Sequence, residues 1–260
     1  MSTPTQVKDS FKLLLIASGI TLLLWFVPYA GVLTYPVRLF VTFIHEAGHA
    51  IAALATSGTV NSIALDWNES GLTYTRGGWR LFISSAGYLS TIAYGASLLL
   101  LLRSARFARL AAAGTGVFVL LITVLFGGNL LVWLVGLLFG AGLVFLGVKG
   151  RIGVTHFLMS FLAVQCLLNA FYHLRALLYL SAFDPSIPTD AGNMSEATGG
   201  IIPPIVWALG WSVLSVLAVG MTLVVYYRSL RRKNESIDPY TPLALPPLPR
   251  SSEGRVLSSK

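Results

Sequence analysis

The stretch Phe43-Ile44-His45-Glu46-Ala47-Gly48-His49-Ala50 decides how this sequence folds. It lies inside an apolar run, residues 36–56, that is long enough to cross a bilayer as one helix. Ionisable side chains inside such a run are costly, so those that occur there are by default candidates for a functional site. The run therefore predicts a membrane helix that carries a chemical site.

The two histidines of this stretch have the spacing of a metal site. His45 and His49 are four residues apart, so a helix places them on one face. Two imidazoles on one face can bind one zinc ion, at about 2.0–2.1 Å each. Glu46 lies beside them and could act as the general base toward water. Ala47 and Gly48 would leave room for a substrate backbone, and the competing interpretation is a buried polar cluster that joins helices.

The rest of the chain has the composition of a membrane protein. Hydrophobic residues make up 55% of it and charged residues only 11%, whereas a soluble domain has about a quarter of its residues charged. The sequence predicts an all-α polytopic bundle of six to seven transmembrane helices, an integral multi-pass protein that we expect in the cell membrane. The predicted spans are residues 11–30, 36–56, 79–102, 107–126, 130–148, 152–180 and 201–227.

Three segments interrupt this pattern. Residues 58–76 contain two β-prone pieces around Asn68-Glu69-Ser70-Gly71 and predict a short interfacial β-hairpin. Residues 181–200 form a polar loop before the last span. The chain therefore divides into a polar N-terminus (1–10), a transmembrane domain (11–230) and a tail (231–260), which is basic at first and then rich in Pro and Ser, as in disordered segments.

The net charge of +8 indicates membrane topology and not nucleic-acid binding, because no basic stretch has the aromatic pattern of a nucleic-acid module. In a seven-span bundle most cations fall on one side, which positive-inside logic places in the cytoplasm together with the C-terminal tail. These cations are Arg103, Arg106, Arg109, Lys149, Arg151, Arg228, Arg231, Arg232 and Lys233.

A catalytic zinc site needs a third protein ligand, and spacing alone leaves several candidates. Asp190 lies in the polar loop, although it could instead cap a short helix that starts near Ala191. His156 and His173 lie in the sixth predicted span. Asp184 precedes a proline, as turn residues often do.

Side-chain amides and small residues within the spans have both functional and structural interpretations. Asn169 could hold a substrate carbonyl or stabilise an oxyanion, or it could make an interhelical hydrogen bond, as could Asn129 and Gln165. Gly136 and Gly140 predict close packing of helices, within one chain or between two.

Three stretches together resemble the site-2 protease family of intramembrane zinc metalloproteases, in its compact branch without a PDZ domain. They are residues 43–50, Ser85-Ala86-Gly87-Tyr88-Leu89, and residues 189–194 leading to Pro203-Pro204. The resemblance runs over residues 41–211. It implies that His45, His49 and Asp190 are the zinc ligands and that Glu46 is the base. It also implies a metal near the cytoplasmic side, whereas the charge pattern favours the opposite side.

The resulting hypothesis is a zinc metalloendopeptidase whose partners are the lipid bilayer and a transmembrane protein substrate. Residues 60–75 of the hairpin could guide that substrate by strand addition. One alternative is a catalytically silent scaffold or chaperone with the same fold, and another is a metal-ion transporter. The sequence leaves the oligomeric state open.

Overall fold

The structure is a computed structural model that describes residues 16, 19–20, 23, 31–184 and 188–235, without the side chains of 169–173 and 229–235. Most of the first predicted span, residues 11–30, lies outside the described residues. So do the tail beyond residue 235 and the side chains of Asn169 and His173.

The described chain forms seven helices of eight residues or more, one 3-10 turn and one hairpin. In chain order these are α1 (Gly31–Ala55), β1 (Thr59–Leu65), β2 (Gly71–Arg76), α2 (Arg80–Leu101), a 3-10 turn (Ala105–Phe107), α3 (Ala108–Phe126), α4 (Leu130–Lys149), α5 (Ile152–Phe183), α6 (Asp190–Ala197) and α7 (Pro204–Glu235).

The all-α polytopic fold with a small hairpin is confirmed. Five helices within the described residues are long and apolar enough to cross a membrane, namely α1, α2, the turn with α3, α4, and α7 as far as Arg228. Helix α5 adds two apolar segments, Ile152–Leu168 and Leu174–Phe183. Exposed leucines and valines cover the outer faces of α3, α4 and α7, which suits contact with lipid tails.

Helix α1 is the most enclosed of these helices. In its most apolar window 72% of the residues are buried, against 22% in α7. It packs against α2, α4, α5 and the hairpin. The described part of the helix starts at Gly31 and contains Pro36, which has no N–H to donate within the helix. The predicted site is therefore on the central helix.

The hairpin is antiparallel, with a bulge between Val60 and Ser62. The edge of β1 that does not pair with β2 is not left open to solvent or lipid. The Gly128 N–H donates to the Ile63 carbonyl over 2.8 Å, and the Asn129 side chain donates to the Leu65 carbonyl over 2.7 Å. Asn129 also caps α4 by accepting from the Val132 N–H. Strand β1 is thus covered on both edges, while the second edge of β2 pairs with no strand among the described residues.

Helices α3 and α4 pack closely through glycines. A Cβ on Gly136 would overlap the Thr123 side chain, and one on Gly140 would overlap Leu120. The small-residue spacing on α4 therefore serves packing within the chain, the first of the two interpretations above.

The predicted polar loop at residues 181–200 contains the eight-residue helix α6. The last long helix starts at Pro204, where a proline at the first helical position loses no hydrogen bond, and its backbone is helical as far as Glu235.

Candidate metal and catalytic site

The histidines of α1 meet at one point, as their spacing predicts. The Nε2 atoms of His45 and His49 are 3.1 Å apart. The Nδ1 atom of His49 lies 2.7 Å from the Ile83 carbonyl oxygen on α2. Because a carbonyl only accepts, Nδ1 carries the proton and donates it, which leaves the Nε2 lone pair free to bind a metal.

Asp190 joins these two imidazoles from the far end of the chain. Its Oδ2 atom lies 3.1 Å from His45 Nε2 and 3.4 Å from His49 Nε2. Of the two interpretations of Asp190, the helix cap is wrong. Thr189 occupies the cap and accepts from the Gly192 N–H over 3.1 Å, so Asp190 is the first helical residue of α6 and its carboxylate faces α1.

The three atoms have the mutual distances that a tetrahedral zinc ion requires. Zinc bonds of about 2.0–2.1 Å place tetrahedral ligand atoms about 3.3 Å apart, and the three separations here are 3.1, 3.1 and 3.4 Å. An aspartate carboxylate and two histidine imidazoles are ordinary zinc ligands. The residues therefore fit a zinc ion chemically and geometrically.

Two of the other candidate ligands, His156 and Asp184, do not join this cluster, and the side chain of the third, His173, lies outside the described residues. His156 is buried at the opposite end of the bundle, where its Nε2 lies 2.8 Å from the Leu102 carbonyl oxygen. Asp184 ends α5 as its C-cap residue. Among the described residues, His45, His49 and Asp190 form the group of three that could hold a metal ion.

Glu46 is buried beside the cluster, with 4% of its surface exposed. The Thr73 hydroxyl on β2 lies 2.6 Å from Glu46 Oε2. A Cβ added to Gly71 would stand 2.6 Å from Glu46 Oε1, so only glycine fits there while the carboxylate keeps its position. Strand β2 therefore forms one wall of the site.

Two glycines have roles that the sequence interpretation did not assign correctly. A Cβ on Gly87 would lie 2.3 Å from His45 Nε2 and 2.5 Å from His49 Nε2, so α2 can support the imidazoles only because this residue has no side chain. The prediction that Gly48 leaves room for a substrate backbone is wrong. Its missing Cβ faces Ser90 and the Ala86 carbonyl, and it allows α1 and α2 to pack closely.

Tyr88 packs against the cluster from α2. Its ring meets the His45 ring edge-on at 4.6 Å and stacks on Trp211 of α7 at 5.4 Å. These contacts restrict the rotation of His45 and connect the site to the last helix.

A cavity of about 410 Å³ contains these groups. Its lining combines the cluster and Glu46 with residues of β2, α2 and α5. At its rim the turn of the hairpin is fixed by Arg38, whose Nε and Nη2 atoms donate to the two carboxylate oxygens of Glu69 over 2.7 and 2.6 Å. The cavity has a volume within the range of ligand-binding cavities, about 300–1,000 Å³, and its polar lining groups come from α1, β2, α2 and α6.

Four residues around the site were not predicted from the sequence as parts of it, namely Gly71, Thr73, Gly87 and Thr189. Gly87 stood within one of the stretches that carried the family resemblance, and a glycine in an apolar helix often indicates close packing. Thr73 gave no signal, because threonine in a strand is ordinary.

Comparison with known proteins supports the same conclusion as the geometry. A family model described as Peptidase M50B-like matches residues 16–222, which is most of the chain. Searches of curated proteins and of solved structures found no match. The matched segment contains the histidine helix, the hairpin, Asp190 and most of the last span, and the chain accordingly belongs to the Peptidase M50B-like family of site-2 protease-like membrane metallopeptidases.

Proposed function

We propose that this protein is an intramembrane zinc metalloendopeptidase that hydrolyses peptide bonds in or near transmembrane segments of other membrane proteins. The observation that carries the proposal is the convergence of three ligand atoms, separated by 3.1–3.4 Å, in one cavity with a buried glutamate.

In this proposal His45, His49 and Asp190 hold the zinc ion. When bound, zinc supplies a Lewis acid that polarises a carbonyl oxygen and increases the acidity of water. Glu46 takes a proton from the attacking water and later gives it to the leaving amine. Burial of the site keeps bulk water away from these charges and strengthens their interactions.

A peptide bond in a helical transmembrane segment is shielded by its own hydrogen bonds, so the substrate must unwind locally before hydrolysis. The free edge of β2 supports a guiding role for the hairpin, because Gly71, Leu72 and Thr73 line the cavity. An unwound segment could pair with this edge as an added strand. We further propose that Asn169, which belongs to α5, holds the substrate carbonyl.

The first test compares purified wild type with His45→Ala, Asp190→Ala and Glu46→Gln. We expect about one zinc ion per chain in wild type, much less in the two ligand variants, and unchanged zinc in Glu46→Gln. Turnover of a transmembrane-segment peptide should fall at least about 10²-fold in Glu46→Gln, because general acid–base catalysis contributes about 10²–10⁴-fold. Asn169→Ala should reduce the same turnover with zinc retained.

The inactive Glu46→Gln protein also tests the guide. With a photo-cross-linker at Leu72 it should form adducts with the bound peptide, whereas a cross-linker at the lipid-facing Leu138 should not. Adducts at neither position would remove the guiding role. Full turnover in Glu46→Gln with zinc bound would contradict the role of Glu46 as the base. Zinc-loaded wild type without any turnover would contradict the protease proposal and favour the silent scaffold.

A further inference from the structure

Strand β2 contacts the Glu46 carboxylate through two consecutive inward-facing positions. Thr73 places its hydroxyl 2.6 Å from Oε2 and 3.0 Å from the Glu46 backbone carbonyl. Gly71 brings its backbone so close that a Cβ would stand 2.6 Å from Oε1 and 2.7 Å from Cγ. One strand therefore supplies both a hydrogen bond and a steric wall to the same side chain.

The hydrogen of the Thr73 hydroxyl goes to the carboxylate. A hydroxyl has one hydrogen, and the shorter of its two contacts is the one to Oε2. A separation of 2.6 Å is in the range of O–H donors to charged acceptors, which is about 2.5–2.7 Å. Such bonds are roughly twice as strong as those between neutral groups.

The two oxygens of Glu46 consequently differ. Oε2 is held by Thr73, whereas Oε1 accepts no hydrogen bond from the described part of the chain. Glutamate has three side-chain torsions and loses considerable rotamer freedom when it is ordered. A fixed Oε2 and the backbone wall of Gly71 leave Oε1 as the oxygen free to exchange a proton.

We infer that Thr73 is a positioning residue, which holds the Glu46 carboxylate in the orientation needed for proton transfer. This inference rests on the proposed function, in which Glu46 is the general base. Thr73 itself does not touch the reacting atoms. It acts by keeping Glu46 in one rotamer, so its loss lowers the rate of the chemical step and leaves substrate binding intact.

The Thr73 hydrogen bond is not needed to attach the hairpin to α1, because other contacts do so. The hairpin is attached to α1 independently by the Arg38–Glu69 ion pair, by the Tyr35 hydroxyl donating to the Trp67 carbonyl over 2.8 Å, and by the Thr42 hydroxyl donating to the Glu69 carbonyl over 2.9 Å. It is also attached to α4 through Asn129. Removal of one hydroxyl should therefore leave the hairpin in place.

The experiment compares Thr73→Val, Thr73→Ser and a control, Thr222→Val, in the full-length protein. Valine has nearly the shape of threonine without the hydroxyl, and serine keeps the hydroxyl. Thr222 lies on α7 away from the site, and its hydroxyl bonds only to the Ala218 carbonyl of its own helix in the described structure. The assay peptide is a fluorogenic transmembrane segment selected for cleavage by wild type, and zinc content is measured on each sample.

We expect Thr73→Val to lower kcat by about 10- to 100-fold, the range for loss of a hydrogen bond to a charged group. KM and zinc content should stay within about twofold of wild type. Thr73→Ser should recover kcat to within about threefold, and Thr222→Val should match wild type. Infrared difference spectra against Glu46→Gln, taken with and without Thr73→Val, should show a shift of the Glu46 carboxylate band.

Three results would overturn the inference. Unchanged kcat and an unshifted carboxylate band in Thr73→Val would show that the hydroxyl does not position Glu46. A raised KM or lost zinc that serine does not restore would show a structural role only. If Glu46→Gln itself retains full turnover, Glu46 is not the base and there is nothing for Thr73 to position. The proposed function itself fails only if zinc-loaded wild type has no turnover, which is distinct from a result in which wild type is active, Glu46→Gln is inactive and Thr73→Val is normal.

Discussion

At the scale of single residues, the site depends on two positions that have no side chain as much as on the side chains that carry its chemistry. The two imidazoles of α1 and the carboxylate of Glu46 each lie against a glycine, Gly87 and Gly71 respectively. Protein interiors are close-packed, so a single added methyl group in contact with a functional atom must displace it.

Gly87→Ala should therefore damage zinc binding. The new Cβ would lie 2.3 Å from His45 Nε2 and 2.5 Å from His49 Nε2, and at least one imidazole must move. We expect zinc affinity to fall by at least about tenfold, the usual scale for disturbing ligand orientation. A chelator competition assay measures this. Gly142→Ala, whose Cβ would meet nothing within 4 Å, is the matched control and should bind zinc like wild type.

At the scale of elements, the proposed zinc ligands come from a long helix and a very short one. Helix α1 is rigidly enclosed, but α6 has only eight residues, and isolated helices of that length are not stable in water. Its order comes from packing of Ala191 and Met194 into an apolar cluster with Leu174 and Trp211 and from the Thr189 cap. The position of Asp190 therefore depends on the start of this helix.

Thr189→Ala should weaken zinc binding without removing any ligand. Loss of an N-cap side chain costs typically about 1 kcal/mol, and about 1.4 kcal/mol corresponds to a tenfold change in affinity. We expect zinc affinity to fall by about three- to tenfold in the same chelator assay. Thr189→Ser keeps a cap oxygen and should behave like wild type. Equal loss in both variants would mean that the threonine methyl group, and not the cap, matters.

At the scale of the whole molecule, charge is distributed unequally between the two ends of the bundle. The hairpin and α6 carry the carboxylates Asp66, Glu69, Asp190 and Glu196, and two nearby arginines, Arg38 and Arg80, are paired with Glu69 and Glu196. The opposite end has a run of cations with no carboxylate between Arg103 and Arg151, and Glu235 follows at the end of α7. These cations are Arg103, Arg106, Arg109, Lys149, Arg151 and Arg228.

This asymmetry predicts the orientation in the membrane. By positive-inside logic the cationic end and the end of α7 face the cytoplasm, and the hairpin faces away from it. Cysteines introduced as Ala105→Cys and Asn68→Cys should then react with an impermeant maleimide from opposite sides of sealed vesicles. Wild type is the control, since Cys166 is buried. Labelling of Asn68→Cys from the cytoplasmic side would instead agree with the orientation implied by the family resemblance.

Much of the fold was predictable because lipid imposes a simple rule on the sequence. Each long apolar run had to become a helix, and the predicted bounds of α2, α3 and α4 agree with the structure to within one or two residues. The meeting of His45 and His49 also follows from helix periodicity alone. The hairpin was predictable from its β-prone pieces and its turn.

The parts that could not be predicted depend on contacts between distant elements. Spacing could not choose between Asp190 and His156, because the choice depends on which end of the bundle each occupies. Similarly, nothing local distinguishes Thr73 from other strand threonines. Its role appears only when the register of β2 against α1 is known, and the same holds for Gly48, which faces a neighbouring helix and not the cavity.

The separation of the proposed ligands along the chain has a consequence for biosynthesis. Asp190 follows His45 by 145 positions, with four long helices between them. A chain that is still being translated and inserted therefore holds two imidazoles without their carboxylate partner until most of the bundle has assembled. Under the proposed function, hydrolytic competence is thereby delayed to the last stage of synthesis, and we expect a truncated product that ends before α6 to be inert toward the other membrane proteins around it.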